Sequence, residues 1–235
     1  KVLHIQLEGS KEEAFDKYVQ GWTDLEYKIV NNGELQSDKL ERFEKDAKMF
    51  LNKGKEIDIY AFEKFDEVTM SDIRNIVLDY KSKHGTVPDL VIIDSLDLVH
   101  PGDGVKYGYD TQSVKAKLQN SAKRMKNLCV ELKTRILTAT QTGDVPPTIW
   151  NDPDKVITRN NIEGDRTLIK SFSYVLTLNQ TEDELRLREM RIYLDKLRNY
   201  STGDKIYKIC TAFDKGRFYD KQRTLKKYFK VNDKG

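Results

Sequence analysis

Apolar residues recur along this chain at two periods, and the switching between them is the first structural signal. Residues 2–8, VLHIQLE, alternate as a strand does, and Ser10 with Glu13 is a capping box that starts a helix at once. Phe15, Tyr18, Val19, Trp22, Leu25 and Ile29 then return every three or four residues as one helical stripe, until Asn31-Asn-Gly33 breaks it. The spacing predicts a second helix over 37–52 with Leu40, Phe43, Ala47 and Phe50 inward, and a short strand over 57–61. Thr69-Met-Ser-Asp72 opens a third helix, with Ile73, Ile76, Val77 and Tyr80 facing in. Residues 90–93, LVII, form a buried-looking run that ends on Asp94, bounded by Pro88 before it and Pro101-Gly-Asp-Gly104 after it.

Further on, Val114, Leu118, Ala122, Met125, Leu128 and Cys129 predict a helix over 112–132, and residues 136–140 a strand. Residues 143–161, rich in Pro, Asp and Asn, are too long for an ordinary connection, which points to a functional or mobile segment. Residues 174–178, 190–197 and 205–213 read as strands, the last two joined by a turn at Ser201-Thr-Gly-Asp204. From residue 221 onward the chain is basic with few apolar anchors, a tail expected to fray. Strands alternating with helices indicate an α/β fold, a mostly parallel sheet flanked by helices with a C-terminal β-hairpin. Ligands of such sheets bind beyond the carboxyl ends of the strands, which would gather Glu8, Asp94, Gln141 and Asn179 along one edge.

Composition narrows the class. Of 235 residues, 34% are charged and 38% apolar, the balance of a soluble protein with a heavily ionised surface. No apolar run approaches the roughly 20 residues that cross a bilayer, and the first residues lack the features of a signal peptide, so the cytoplasm is the expected compartment and no membrane partner is expected. The two cysteines, Cys129 and Cys210, lie far apart in apolar surroundings, and the three histidines do not join them at ligand spacing; neither a disulfide nor a structural zinc is expected. A net charge of +3 is too small to announce a nucleic-acid binder, so any basic surface must be local.

An Asp directly after a buried strand is the pattern that helps hold Mg²⁺ in phosphate-loop NTPases, where the strand fixes the carboxylate beside the nucleotide's phosphates. A solvated strand end is the plain alternative for Asp94. Glu8 adds an acid that could accept a proton from an attacking water, and Gln141 an amide that could report on a γ-phosphate. A charged or polar strand end would explain either equally well.

The order of these pieces resembles the ring-forming replicative DNA helicases of the DnaB family, especially phage members. "HIQLEGSKEEAFDKYV" is similar to that family's strand ending in the catalytic Glu. "VTMSDIRNIVLDYKSKHGTVPDLVIIDSLDLV" resembles its Ser-Asp-Ile-Arg helix and Walker B strand, and "RILTATQTG" its strand ending in the sensor Gln. "IYLDKLRNYSTGDKIYKICTAFDKGRFYD" looks like its Lys-x-Arg-Asn segment, turn, strand and terminal Arg-Phe. The resemblance covers residues 2–220 and implies one RecA-like ATPase domain, with residues 221–235 as the tail. It implies that Asp94 helps hold Mg²⁺, Glu8 polarises the attacking water, Gln141 senses the γ-phosphate, and Lys196 and Arg198 reach a neighbouring subunit's ATP. It also implies two segments facing single-stranded DNA in a ring's channel: residues 101–112 with Lys106, Tyr107 and Tyr109, and residues 142–161 with Trp150, Lys155, Arg159 and Asn160. Exposed loops with incidental aromatics are the alternative for both.

The function so implied is an ATP-dependent DNA helicase motor working as a homo-hexameric ring, with a primase or helicase loader as a possible partner. Two departures stand out. The phosphate-binding loop, Gly-x-x-x-x-Gly-Lys-Ser/Thr, does not occur in these residues, and the expectation is that it lies on an upstream part of a longer chain. Asp97 stands where the family often carries Gln. The rival readings are a recombinase or clock-type RecA-like ATPase and, in another class, a non-catalytic interaction subunit that lacks the loop.

Overall fold

The computed structural model describes residues 1–26, 28–29, 37–38, 41, 44–45, 48, 52, 55–62, 68–161, 167–198 and 206–220. The expected helix over 37–52 and its inward residues Leu40, Phe43, Ala47 and Phe50 lie largely outside these, as do the turn at 201–204 and the basic tail.

Four strands form a parallel sheet in the order β2-β1-β3-β4: β1 (Val2–Gln6), β2 (Ile57–Ala61), β3 (Leu90–Asp94) and β4 (Ile136–Thr138). Strand β1 sits centrally, Val2 pairing with both Ile57 and Leu90, and Gln6 with both Ala61 and Asp94. Among the described residues three long helices pack around it. α1 (Lys11–Thr23) begins on the Ser10–Glu13 capping box and stops at Asp24, whose φ of 61° is left-handed. α2 (Met70–His84) begins on a second box, Thr69 with Asp72, and ends on Gly85 at φ 71°. α3 (Thr111–Leu132) is capped by the Asp110 carboxylate, which accepts from the amides of Gln112 and Ser113. Ile73, Ile76, Val77 and Tyr80 of α2 and Leu118, Ala122, Met125 and Leu128 of α3 join Leu3, Ile5, Val91 and Ile93 in one core, which also takes in Leu168.

α1 departs from its stripe. It ends before Leu25 and Ile29, and Phe15 and Trp22 are exposed. Its inner face is shared with the later strands, where the buried Gln20 amide donates to the Asp214 carbonyl at 2.6 Å.

The second half differs more. The strand at 174–178 does not extend the parallel sheet: β5 (Tyr174–Asn179), β6 (Glu189–Leu197), β7 (Ile206–Ala212) and β8 (Arg217–Asp220) form a separate antiparallel meander in sequence order. The expected hairpin is its β6–β7 pair. Alternation along a strand is the same in either sheet type, so the sequence pattern could not separate them. A short helix α4 (Pro147–Trp150) interrupts residues 142–161, and α5 (Glu182–Arg186) links β5 to β6. Among the described residues β4 and β5 are edge strands, and they leave Leu137, Tyr174, Leu176 and Leu178 exposed. Bare apolar edges of this kind call for a covering element.

Residues 142–161 are tied to one face of the meander by buried polar groups. The Asn179 side-chain carbonyl accepts from the Ile157 amide at 2.5 Å, and the Thr177 hydroxyl donates to the Ile157 carbonyl at 2.6 Å. The Arg191 guanidinium, 1% exposed, pairs with Glu184 at 2.7 Å and donates to the carbonyls of Pro153 and Lys155. A polar loop is thus laid over a polar sheet face, and the groups buried between them answer one another.

Candidate nucleotide and DNA site

The carboxyl edge of the parallel sheet collects three of the expected groups. Asp94 is the last residue of β3 and is exposed; Glu8 follows the pairing partner of Asp94, Gln6, by two residues and is exposed. The Leu7 amide donates to the Asp94 carbonyl at 3.1 Å, so the two turns leave the sheet together. Gln141, also exposed, lies three residues past the end of β4, which stops at Thr138 rather than running on to Thr140. The Leu96 amide donates to the Ala139 carbonyl at 3.0 Å, holding that extension against the turn after Asp94.

Glu8 is aimed by local backbone chemistry. The buried Gln6 side chain donates to the Glu8 carbonyl. Gly9 then turns the chain at φ 96°, where a Cβ would collide with the Glu13 carboxylate that caps the Ser10 amide at 2.9 Å. The Glu8 and Asp94 carboxylates have no hydrogen-bond or ion-pair partner among the described residues. Asp94 is followed by a cis peptide bond to Ser95.

Asn179 is not on this edge. It closes β5 in the other sheet, 3% exposed, and its amide is consumed within the chain by Ile157 and Thr177. The expectation that put it beside Asp94 is corrected: β5 belongs to the antiparallel sheet.

The basic pair is split. Lys196 is half-buried, and its ammonium donates to the carbonyls of Ile169 and Phe172, both at 2.7 Å, at the end of the short 3₁₀ turn Leu168–Ser171. Burial, with Arg159, Lys126 and Arg198 nearby, holds its pKa below the usual lysine value. Arg198, just past the end of β6, is exposed and its guanidinium has no partner among the described residues; its amide donates to the Ser173 carbonyl at 3.0 Å.

The two loop segments also divide. In the first, Tyr107 is structural: its hydroxyl donates to Asp103 and accepts from Asn120 at 2.8 Å, and its ring meets His100 edge-on at 5.4 Å. That hydroxyl holds the Asp103 carboxyl below its ordinary pKa. Lys106 is exposed and Tyr109 stands wholly in solvent. In the second, the Lys155 ammonium donates to the Thr148 carbonyl at 2.9 Å and pairs with Asp152 at 3.2 Å. Arg159 is bound to the buried Asp195 through its backbone amide at 2.5 Å and its Nε at 3.1 Å. Asn160 is exposed, and of these three residues it alone keeps its side-chain polar group uncommitted among the described residues.

Sequence reasoning passed over Asp195 and Arg191, because polar residues alternating with Met190, Ile192 and Leu194 look like a solvent face. Among the described residues no group of three or more His, Cys, Asp or Glu forms a metal cluster, and no helix is long and apolar enough to cross a membrane. Mg²⁺ is compatible with the edge nonetheless, since it is commonly held by one or two carboxylates together with phosphate oxygens, and Asp94 and Glu8 are uncommitted oxygen donors.

The fold is similar to a solved DnaB-like replicative helicase, described with its interactions with primase, at TM-score 0.72 and 14% identity over 93% of this chain; the chain spans 50% of that structure's length. It is also similar to a second solved structure, of an ATPase domain, at TM-score 0.73 and 14% identity, covering 93% of this chain and 74% of that one. These likenesses establish a RecA-like fold. A comparison with curated proteins gives no match. The model of the DnaB-like helicase C terminal domain matches residues 1–144, through β1, β3, β4 and the Glu8, Asp94 and Gln141 positions, and the chain belongs to that family.

Proposed function

We propose that this domain is the ATP-hydrolysing motor of a replicative DNA helicase, working between subunits of a hexameric ring on single-stranded DNA. The observation that supports this most is the gathering of three uncommitted groups, Glu8, Asp94 and Gln141, at the carboxyl edge of one parallel sheet. In this reading Asp94 holds Mg²⁺ and Glu8 takes the proton of the attacking water. Gln141 donates its amide toward the γ-phosphoryl oxygens, and the free guanidinium of Arg198 reaches the ATP of the next subunit. Bound Mg²⁺ would neutralise charge on the phosphoryl oxygens. The phosphate-binding loop would come from a segment beyond these residues, and the bare edges of β4 and β5 are where such a segment has sheet to pair with.

The test uses the full-length protein. Glu8→Gln keeps the shape and removes the base, so ATP turnover should fall by about 10²-fold or more while ATP binding persists. Full turnover in Glu8→Gln, or no ATP affinity in the wild type, would overturn the reading; the latter would favour a non-catalytic subunit. Filaments in place of rings by electron microscopy would favour a recombinase-type ATPase.

A further inference from the structure

We propose that Asp97 is a positioning residue that couples the nucleotide edge to the DNA-facing loop; this rests on the ATPase reading above. Asp97 lies in the 3₁₀ turn Leu96–Leu98 that follows Asp94, half-buried, and joins that turn's own start to two other elements. Its Oδ1 accepts from the Thr140 hydroxyl at 2.8 Å, and Thr140 is the residue immediately before Gln141. Its Oδ2 accepts from the Ser95 hydroxyl at 3.3 Å, and Ser95 immediately follows Asp94. Its backbone carbonyl accepts from the Lys117 ammonium at 3.1 Å, and Lys117 stands two turns into α3, the helix that begins directly after the loop carrying Lys106 and Tyr109.

The neighbouring contacts make this turn rigid at every point except the one Asp97 supplies. Leu96 and Val99 are fully buried, the Thr138 hydroxyl donates to the Ile93 carbonyl at 2.8 Å, and the Ser121 hydroxyl of α3 donates to the Val99 carbonyl at 2.8 Å. Past Thr138, however, β4 has no ladder, and residues 139–141 are fixed by the Leu96 amide on the Ala139 carbonyl and by the Thr140 hydroxyl on Asp97. Without that hydroxyl bond the peptide bearing Gln141 is tied to the turn only through the Ala139 carbonyl, its next backbone tie being the Gly143 amide on the Asn161 carbonyl, and Gln141 loses part of its fixed direction toward the edge. The turn that sets Gln141 is itself gripped by Lys117 of α3. A displacement of α3 when the loop before it engages DNA is therefore delivered to Gln141 through Asp97. A carboxylate fits because one side chain must accept from two hydroxyls at once; an amide oxygen facing Thr140, with its NH₂ toward Ser95, preserves both bonds.

The experiment measures ATP turnover of the full-length protein with and without single-stranded DNA. Asp97→Ala and Thr140→Val should each lower the DNA-stimulated kcat by about tenfold, with KM for ATP changed by less than about twofold. Asp97→Asn and Thr140→Ser should recover most of the stimulation. The double variant Asp97→Ala/Thr140→Val should be no worse than Asp97→Ala alone, because that variant already removes the Thr140 bond together with the one from Ser95. Losses that multiply, or stimulation unchanged in both single variants while Asp94→Asn is inactive, would overturn this proposal and leave the ATPase reading standing. Full turnover in Asp94→Asn would overturn both.

Discussion

The guanidinium of Arg191 and the carboxylate of Glu184 meet at 2.7 Å with almost no solvent on either side chain. The same Glu184 accepts from the Thr181 amide at 2.8 Å, closing the capping box of α5. Glu184→Ala therefore strips a buried cation of its counter-ion, and the protein should lose about 3–5 kcal/mol of stability. Urea denaturation at neutral pH measures it. A loss below about 1 kcal/mol would mean that the Pro153 and Lys155 carbonyls satisfy Arg191 by themselves.

His4 gives the domain a pH dependence of definite sign. Burial lowers its pKa from 6.5, outweighing the opposite pull of Asp94; Lys17 adds to the lowering. Its Nδ1 shares a hydrogen bond of 3.0 Å with the Tyr18 hydroxyl, and its Nε2 is buried without a partner among the described residues. Below pH 6.5 the unfolded chain takes up a proton here that the folded chain resists, so acidification through that value favours unfolding. Unfolding midpoints measured between about pH 8 and about pH 5 should fall more steeply for the wild type than for His4→Phe. Parallel curves would show that His4 titrates alike in both states.

Lys196 and Arg198 should separate by what their loss disturbs. Lys196→Met leaves the Phe172 carbonyl unanswered, while the Ile169 carbonyl keeps the Phe172 amide, and should cost about 1–3 kcal/mol. Arg198→Ala, at an exposed position, should shift stability by less than about 0.5 kcal/mol. In the full-length protein Arg198→Ala should nonetheless lose DNA-stimulated ATP turnover and keep nucleotide binding. Unchanged turnover would remove its role across the subunit boundary.

In the loop before α3, Tyr109 is free to stack on a base and Tyr107 is not. Tyr109→Ala should weaken single-stranded DNA binding by about 1–3 kcal/mol, read by fluorescence anisotropy with an oligo-dT strand. Lys106→Ala should reduce the salt dependence of binding by about one charge. Tyr107→Phe keeps the ring against His100 and should leave affinity nearer the wild type than Tyr109→Ala does. Equal losses from all three would place the contact elsewhere.

The helical and parallel-strand half of the fold was legible because its apolar periods are read out by a single core: Ile73, Val77, Leu118 and Met125 are buried where the spacing puts them. The Ser10 and Thr69 caps marked helix starts for the same reason, since they are local chemistry. Asn179 misled because alternation says nothing about which sheet a strand joins. Arg191 and Asp195 escaped because a polar face is assumed to meet water, whereas here it meets residues 142–161. The split of Lys196 from Arg198 was hidden for a related reason: the carbonyls that hold Lys196 are more than twenty residues away in sequence.

The two sheets also impose different schedules on a chain that is being made. β5 to β8 pair with their immediate successors, so their contacts can close as each strand emerges. Val2, by contrast, must wait for Ile57 for its first strand partner and for Leu90 for its second. The strand that precedes Glu8 is thus synthesised before both of its partners and completed only after them, and the edge that carries the candidate chemistry exists only once β3 has arrived to hold β1 in place.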